Sequence, residues 1–422
     1  MKANLISLGC AKNRVDSEKI LAALGLNDVI IARNPQDSDV IIINSCGFIK
    51  SALKEAAKII SSIECIVQKT GARLIVYGCA VSRKNGFNKK NFPLVSDWYS
   101  LKDHQRMLAS LGCGKINNAH TRLLTTGGYA YLKIADGCSN RCSYCTIPQI
   151  KGPYHSRPVG DIVKEATELA EAGIKELILI AQDTTAYGID LYGYKKLHIL
   201  LDHLSKINRI KWIRLLYAHP RSINEKTIQY IEKDPKVCKY IDLPLQHIND
   251  RILYRMNRKI SRKQIEKLLK RLMRIKNISI RTTFIAGFPG ETSREFKELY
   301  NWIKNNALDW IGVFPYYNEP GTKAYSSPQL RSSTVSERYN RLLDLQKDIV
   351  QRTNIKYVGK TIKALISNEN GDFYGHTEYS SPEIDSRILI KKLLKQRSGD
   401  FIRVKIKGIK GVDLYGEIVR NV

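Results

Sequence analysis

No apolar run in this 422-residue chain approaches the ~18 residues needed to cross a bilayer. Nor does a basic-plus-apolar leader precede "MKANLISLGC", which already reads as a first strand. No membrane role is expected, and a soluble, cytoplasmic protein is. Internal repeats and low-complexity segments are also lacking, which excludes a solenoid. Acid is scarce: 40 Asp and Glu stand against 69 Lys and Arg, for a formal net charge of +29. Such a surface attracts polyanions, nucleic acid or a ribonucleoprotein particle first among them, although charge alone names no target. Nine cysteines in a cytosolic chain do not form a disulfide framework, so those that cluster point to metal binding or thiol chemistry.

The length suits two or three domains. Through residue 115 the short apolar runs "ANLISL", "SDVIIIN" and "ARLIVYG" alternate with helical patterns, one of them from Phe48 to Gln68. Strands of that kind, buried on both faces, indicate an open parallel α/β sheet. A softer, turn-rich stretch follows. Residues 124–354 then hold six strand candidates, "YAYLKIA", "ELILIA", "WIRLLYA", "KYIDLPL", "IRTTFIAGF" and "WIGVFPYY", most of them separated by helical patterns. Six βα units suggest an incomplete (βα)6 barrel, open on one side for a large substrate. Residues 355–422 change to short alternating runs, "TIKALIS", "SRILIKKL", "DFIRVKIKGI" and "LYGEIV", the pattern of a small antiparallel β-barrel, basic and suited to RNA. Residues 251–277 carry 11 Lys and Arg and a single acid, Glu266. A solvated outer helix is the first reading of that run and an RNA-facing patch the second.

The first strand of the central block runs directly into "ADGCSNRCSYCTIP", with Cys138, Cys142 and Cys145 in a Cys-x3-Cys-x2-Cys spacing. Gly137 permits a tight turn and Pro148 ends the loop. Thiolates hold iron–sulfur clusters, and a cuboidal cluster with three cysteine ligands leaves one iron open to chemistry. A zinc site completed by a distant ligand, His155 being the nearest, is the alternative. The spacing at this position resembles the radical S-adenosylmethionine superfamily. Further polar loops follow later strands at the same end: "AQDTTAYG" with Gln182, Thr184 and Thr185, "LPLQH" with Gln246, and "TTFIAGFPGET" with Gly287. At the carboxyl ends of barrel strands they read as the rim of one site.

Three more cysteines share one context, "ISLGCAKN" at Cys10, "IIINSCGF" at Cys46 and "LIVYGCAV" at Cys79, each just past an expected parallel strand. Strand ends of an open α/β sheet meet at a crevice, so three thiols distant in sequence can converge there. Packing as small apolar residues is the alternative. Cys65, Cys113 and Cys238 have no partner pattern.

Taken together, the chain resembles the methylthiotransferase family over essentially its whole length, and its C-terminal piece resembles the TRAM domain. "SLGCAKNRVDSE", "INSCGFIKSA", "LPLQHINDRIL", "SPEID" and "GVDLYGE" resemble the branch that modifies an aspartate of the small-subunit ribosomal protein number twelve. Ser45, Lys151 and "YSSPEID" depart from that branch's more usual threonine, "RG" and "DAPEID". The resemblance implies two 4Fe-4S clusters and S-adenosylmethionine. Cys138, Cys142 and Cys145 would hold the cluster that cleaves S-adenosylmethionine to a 5'-deoxyadenosyl radical. Cys10, Cys46 and Cys79 would hold an auxiliary cluster carrying the sulfur to be transferred. A second S-adenosylmethionine would methylate that sulfur, and the radical would activate the aspartate β-carbon. Gln182, Thr184, Thr185, Gln246 and Gly287 would contact the cofactor, and a flavodoxin or ferredoxin would donate electrons. A tRNA adenosine methylthiotransferase shares every one of these cysteines and is the nearest competing reading; a non-catalytic iron–sulfur RNA-binding protein is the other.

Overall fold

The computed structural model describes residues 1–114, 121–369, 372–390 and 396–419. The chain divides into two compact units. One contains residues 1–125 with 136–155 and 319–325; the other contains 126–135, 156–318 and 326–422.

In the first unit five parallel strands, β1 (Lys2–Ser7), β2 (Ile30–Ile31), β3 (Val40–Ser45), β4 (Arg73–Gly78) and β5 (Val95–Tyr99), lie in the order β2-β1-β3-β4-β5. β3 is buried at every position, as a Val/Ile run covered on both faces should be. Alternate residues serve opposite layers. Ile42 and Ile75 join Ile20, Leu24 and Met107 in one core, whereas Ile41, Ile43, Leu74 and Val76 join Ala56, Ile60 and Ile63 in the other. The helices Ala11–Gly25 and Lys50–Thr70 provide much of the cover. β5 is an addition to the sequence reading: "VSDWY" sits at the sheet edge with polar positions half out of the core, so no apolar run marks it. The strand order reverses between β1 and β3, which makes their carboxyl ends the switch point where such sheets bind ligands.

In the second unit β6 (Tyr129–Lys133), β7 (Glu176–Ile180), β8 (Trp212–Leu215), β9 (Val237–Asp242), β10 (Ser279–Ala286) and β11 (Trp310–Pro315) pair in parallel and in sequence order. These are the six strands anticipated, and the sheet they form is open, with β6 and β11 as its edges. β12 (Thr361–Glu369), β13 (Asp372–His376), β14 (Ile388–Ile390), β15 (Phe401–Lys410) and β16 (Asp413–Ile418) close into the small C-terminal barrel. Its pairings are antiparallel except β14 with β16, which is parallel. β13, "DFYGH", carries no apolar alternation and was not anticipated. Of the expected strand "SRILIKKL", Ile388–Ile390 is seen; residues 391–395 lie outside the described residues, as does the expected domain limit at 115.

The segment 376–385, between β13 and β14, runs under the amino-terminal half of the open sheet. Buried Arg214 donates from Nε to Glu176 Oε1 at 2.7 Å and from its two terminal nitrogens to the carbonyls of Glu378 and Thr377, each at 2.9 Å. His376 Nε2 stands 2.5 Å from the other Glu176 oxygen. Tyr129 and Tyr131 donate to Glu383 at 2.6 and 3.0 Å, and Tyr240 donates to Asp385 at 2.7 Å. Arg281 bridges Asp242 and Asp385. Burial pushes the Asp385 carboxyl up, against the pull of Arg281. "SPEID", noted above as a mark of one branch, is thus a polar floor to the sheet. Residues at the amino end of a barrel generally serve stability and not chemistry.

Candidate metal centres

Cys10, Cys46 and Cys79 each follow the carboxyl end of a strand, β1, β3 and β4, and these three strands are adjacent. The sheet brings the three thiols together. A Cβ built on Gly9 would lie 2.8 Å from Cys46 Sγ, and one on Gly47 would meet the Ala80 backbone at 2.5 Å, so both approaches require glycine. Cys10 raises the proton affinity of Cys46, and both raise that of Cys79. Burial is the larger cause: it pushes Cys46 up, and Cys79 up to about 12, with Lys151 opposing the shift at Cys79. Metal must therefore displace protons to bind here.

Asn13 ties the strand ends. Its Nδ2 donates to the carbonyls of Leu8 and Ser45 at 3.0 and 3.2 Å, and Cys79 Sγ donates to its Oδ1 at 3.5 Å. Ser45 donates from Oγ to the Tyr77 carbonyl at 2.6 Å, a bond that the hydroxyl of a threonine would make equally. Arg83 donates to Gly47 O at 2.9 Å and pairs with Glu319 at 2.5 Å. Glu319 also accepts from the Lys50 backbone at 2.7 Å. No motif marks Glu319, which lies 236 positions from Arg83.

The Cys138–Cys142–Cys145 loop is shaped by its own backbone. Gly137 has φ 70° and a Cβ there would fall 1.9 Å from Pro153 O. Arg141 also adopts a left-handed φ, 54°; Cys138 N donates to Gly152 O, and Cys145 N to Cys142 O, both at 3.1 Å. The short helix Ile147–Lys151 follows, with Pro148 in its first turn. This loop belongs to the same compact unit as the other triplet. One position past Cys145, Thr146 donates to the carbonyl of Phe48, two positions past Cys46, at 2.8 Å. Lys151, 3 % exposed at its side chain, pairs with Asp136 at 3.0 Å and reaches Asp16 at 4.0 Å.

Among the described residues no three His, Cys, Asp or Glu side chains are grouped tightly enough to grip a single metal ion, and His155 is exposed. A cuboidal cluster spreads its thiolates over separate irons, so the thiol sets fit iron–sulfur chemistry better than zinc. Cys113 and Cys238 are buried and Cys65 is exposed, and none joins either triplet.

The strand-end loops of the second unit divide into two kinds. Thr184 and Thr185 are buried and their hydroxyls are engaged internally: Thr184 donates to Leu216 O at 2.8 Å, and Thr185 donates to Asp183 at 2.7 Å and accepts from His219 N at 3.0 Å. Gln246 sits at φ 72° with its side-chain oxygen buried and lacking a hydrogen-bond partner among the described residues. A buried acceptor of that kind in a strained backbone is what a ligand donor would satisfy. Gly287 has φ 76° and its N–H donates to Glu291 at 2.9 Å. Glu291 is fixed in turn by Arg338 at 2.7 Å and His247 Nε2 at 3.1 Å. His247 Nδ1 accepts from Asn249 N at 3.0 Å, which assigns the ring proton to Nε2. Gln182 follows β7 with its side chain half-buried.

Comparison with known proteins bears on these sites. The pattern of the radical SAM superfamily matches residues 132–303, that of the TRAM domain 358–419, and that of uncharacterized protein family UPF0004 2–100. Among solved structures, the radical S-adenosylmethionine methyltransferase TsrM from Kitasatospora setae aligns with TM-score 0.58 at 14% identity, over 77% of each chain. The cobalamin-dependent S-adenosylmethionine radical enzyme OxsB aligns with TM-score 0.53 at 13% identity, over 82% of this chain and 56% of that one. At such identity the likeness is one of fold, that of a radical S-adenosylmethionine enzyme. Full-length relatives narrow the class. The ribosomal protein uS12 methylthiotransferase RimO of Thermoanaerobacter sp. (strain X514) is 42% identical over 98% of this chain and 99% of its own. That of Acetivibrio thermocellus is 41% identical over 100% and 99%. The chain belongs to the ribosomal protein uS12 methylthiotransferase family.

Proposed function

We propose that this protein is a radical S-adenosylmethionine methylthiotransferase that adds a methylthio group to the β-carbon of an aspartate in ribosomal protein uS12, in the cytoplasm. The observation that carries the reading is the pairing of two thiol triplets in one compact unit, with Thr146 of one loop bonded to Phe48 of the other. Cys138, Cys142 and Cys145 hold one 4Fe-4S cluster and Cys10, Cys46 and Cys79 the second, in a chain of three functional parts, 1–115, 124–354 and 355–422. When bound, one cluster supplies the electron that cleaves S-adenosylmethionine and the other the sulfur that is transferred; an unactivated C–H bond gives acid–base chemistry no purchase.

The chain's own residues bind and orient. Gln246 offers its buried carbonyl oxygen to the cofactor, with Gln182 beside it in role, and Gly287 brings backbone close. Thr184 and Thr185 hold the second strand-end loop in shape. Lys151 counters the negative charge that three thiolates and Asp16 accumulate. The basic C-terminal barrel contacts RNA, and a flavodoxin or ferredoxin donates the electrons.

Mass spectrometry of uS12 from cells with and without the gene tests the assignment. The methylthio increment should vanish from uS12 on deletion while tRNA methylthioadenosines persist. Loss from tRNA with uS12 unchanged would overturn it in favour of the tRNA reading.

A further inference from the structure

The run of cations at 251–277 resolves into rows with different fates. In the helix Arg262–Leu272, Ile265, Leu269 and Leu272 are buried and form the inner row. Along the flanks, Arg262 pairs with Glu266 and Glu298, and Arg271 with Glu225 and Glu232. Opposite the buried row, at three- and four-residue intervals, stand Lys263, Lys267 and Lys270, all exposed, with Lys259 exposed just before the helix and Arg274 exposed just after it. None of these five enters an ion pair among the described residues. Within the helix successive members fall about 4.5–6 Å apart along the axis.

The neighbouring helix Ser293–Asn305 extends the field. It is joined to the first through Arg262 to Glu298 at 2.6 Å and Trp302 Nε1 to Glu266 at 3.1 Å. Its exposed outer row holds Arg294, Lys297 and Lys304. Outer faces elsewhere in this unit are of mixed sign: Asp161, Lys164 and Glu171 on one helix, Glu225, Lys226 and Lys233 on another, Arg341, Asp344, Lys347 and Asp348 on a third. Like charges three and four residues apart destabilise a helix by themselves. On this face they are left together, while the acids that could neutralise them are spent on the flanking arginines.

We propose that this face, Lys259, Lys263, Lys267, Lys270 and Arg274 with Arg294, Lys297 and Lys304, is a docking surface for the phosphate backbone of folded RNA, separate from the C-terminal barrel. A regular row of flexible cations, most of them ammonium groups, along a helix suits a repeating phosphate chain, which needs charge at intervals and no base readout. An acidic protein would instead call for apolar anchors among the charges, and this face has none in its outer row. That the RNA is ribosomal, so that the enzyme meets uS12 within a particle, rests on the proposed function; the surface does not.

The test uses the full chain with both clusters and a fluorescently labelled RNA hairpin of arbitrary sequence, titrated across a salt series. Lys263→Gln, Lys267→Gln, Lys270→Gln and Arg274→Gln are combined in one variant. A second variant removes the same charge from mixed faces, through Lys164→Gln, Lys206→Gln, Lys233→Gln and Lys347→Gln. The first should bind at least tenfold more weakly, and its slope of log affinity on log salt should be shallower by about three to four, near one per lost phosphate contact. The second should move little. Equal losses in both would mean that only net charge matters, and wild-type binding by the first would place the RNA elsewhere; either result overturns the proposal. Selective loss of binding to polyglutamate with RNA binding kept would identify an acidic protein instead and overturn it too. Cleavage of S-adenosylmethionine should be unchanged in both variants, so failure of the enzymatic assignment shows separately, in the wild type.

Discussion

The two thiol triplets reach similar ends by opposite routes. Cys138, Cys142 and Cys145 lie within eight positions, and the turn that presents them is held by Gly137, Arg141 and backbone bonds inside residues 136–155. Cys10, Cys46 and Cys79 span seventy positions and meet only because β1, β3 and β4 pair side by side in register. A local loop can keep its shape while the surrounding sheet adjusts. A triplet gathered from three strand ends exists only as long as the sheet does, and Asn13, Arg83 and Glu319 are its braces.

The sharpest test of that contrast is to remove one thiol from each set. Cys142→Ala should abolish formation of 5'-deoxyadenosine, whereas Cys46→Ala should keep it and lose methylthio transfer. Iron should fall in each from about eight to about four per chain. Loss of cleavage in Cys46→Ala as well would break the separation. Next in size is Arg83→Met, which strands the buried Glu319 carboxylate. We expect about 3–5 kcal/mol lost in urea unfolding, and part of it regained when Glu319→Gln is added. Asn13→Ala removes donors to two strand-end carbonyls; about 1–3 kcal/mol should go, with lower iron at the scattered site and normal cleavage from the local one.

The smallest effect concerns protons. In cluster-free protein the Cys79 thiol, pushed up to about 12 by burial, stays protonated through neutral pH. Its alkylation should be the slowest of the scattered three, rising about tenfold per pH unit below 12, and cluster loading there should weaken as pH falls. Uniform rates across Cys10, Cys46 and Cys79, read by mass spectrometry, would show that the pocket is open.

Legibility followed the same divide. The local triplet was visible as a spacing, and the scattered one as a repeated context, because "VIII" and "LIVYG" announce buried parallel strands and the cysteines follow them. β5 and β13 escaped notice because an edge strand with Ser96 and Asp97, or a hairpin strand with Gly375 and His376, has no apolar run to announce it. The hydroxyls of Thr184 and Thr185 turn toward the next strand-end loop, a direction no sequence pattern carries. The roles of Glu319 and "SPEID" were beyond reach for the same reason: their partners come from segments far away in the chain.

The polar floor built by residues 376–385 also sets an order of events during synthesis. The ribosome releases the chain from its amino end, so β6 to β11 emerge with Arg214, Glu176, Tyr240 and Arg281 before His376, Glu383 and Asp385 exist to receive them. Until then Arg214 lacks the carbonyls of Thr377 and Glu378, and the sheet carries charge it cannot bury. The last tenth of the polypeptide is therefore the step that commits the central sheet to its final form, and a nascent chain stalled before residue 385 should remain prey to proteases.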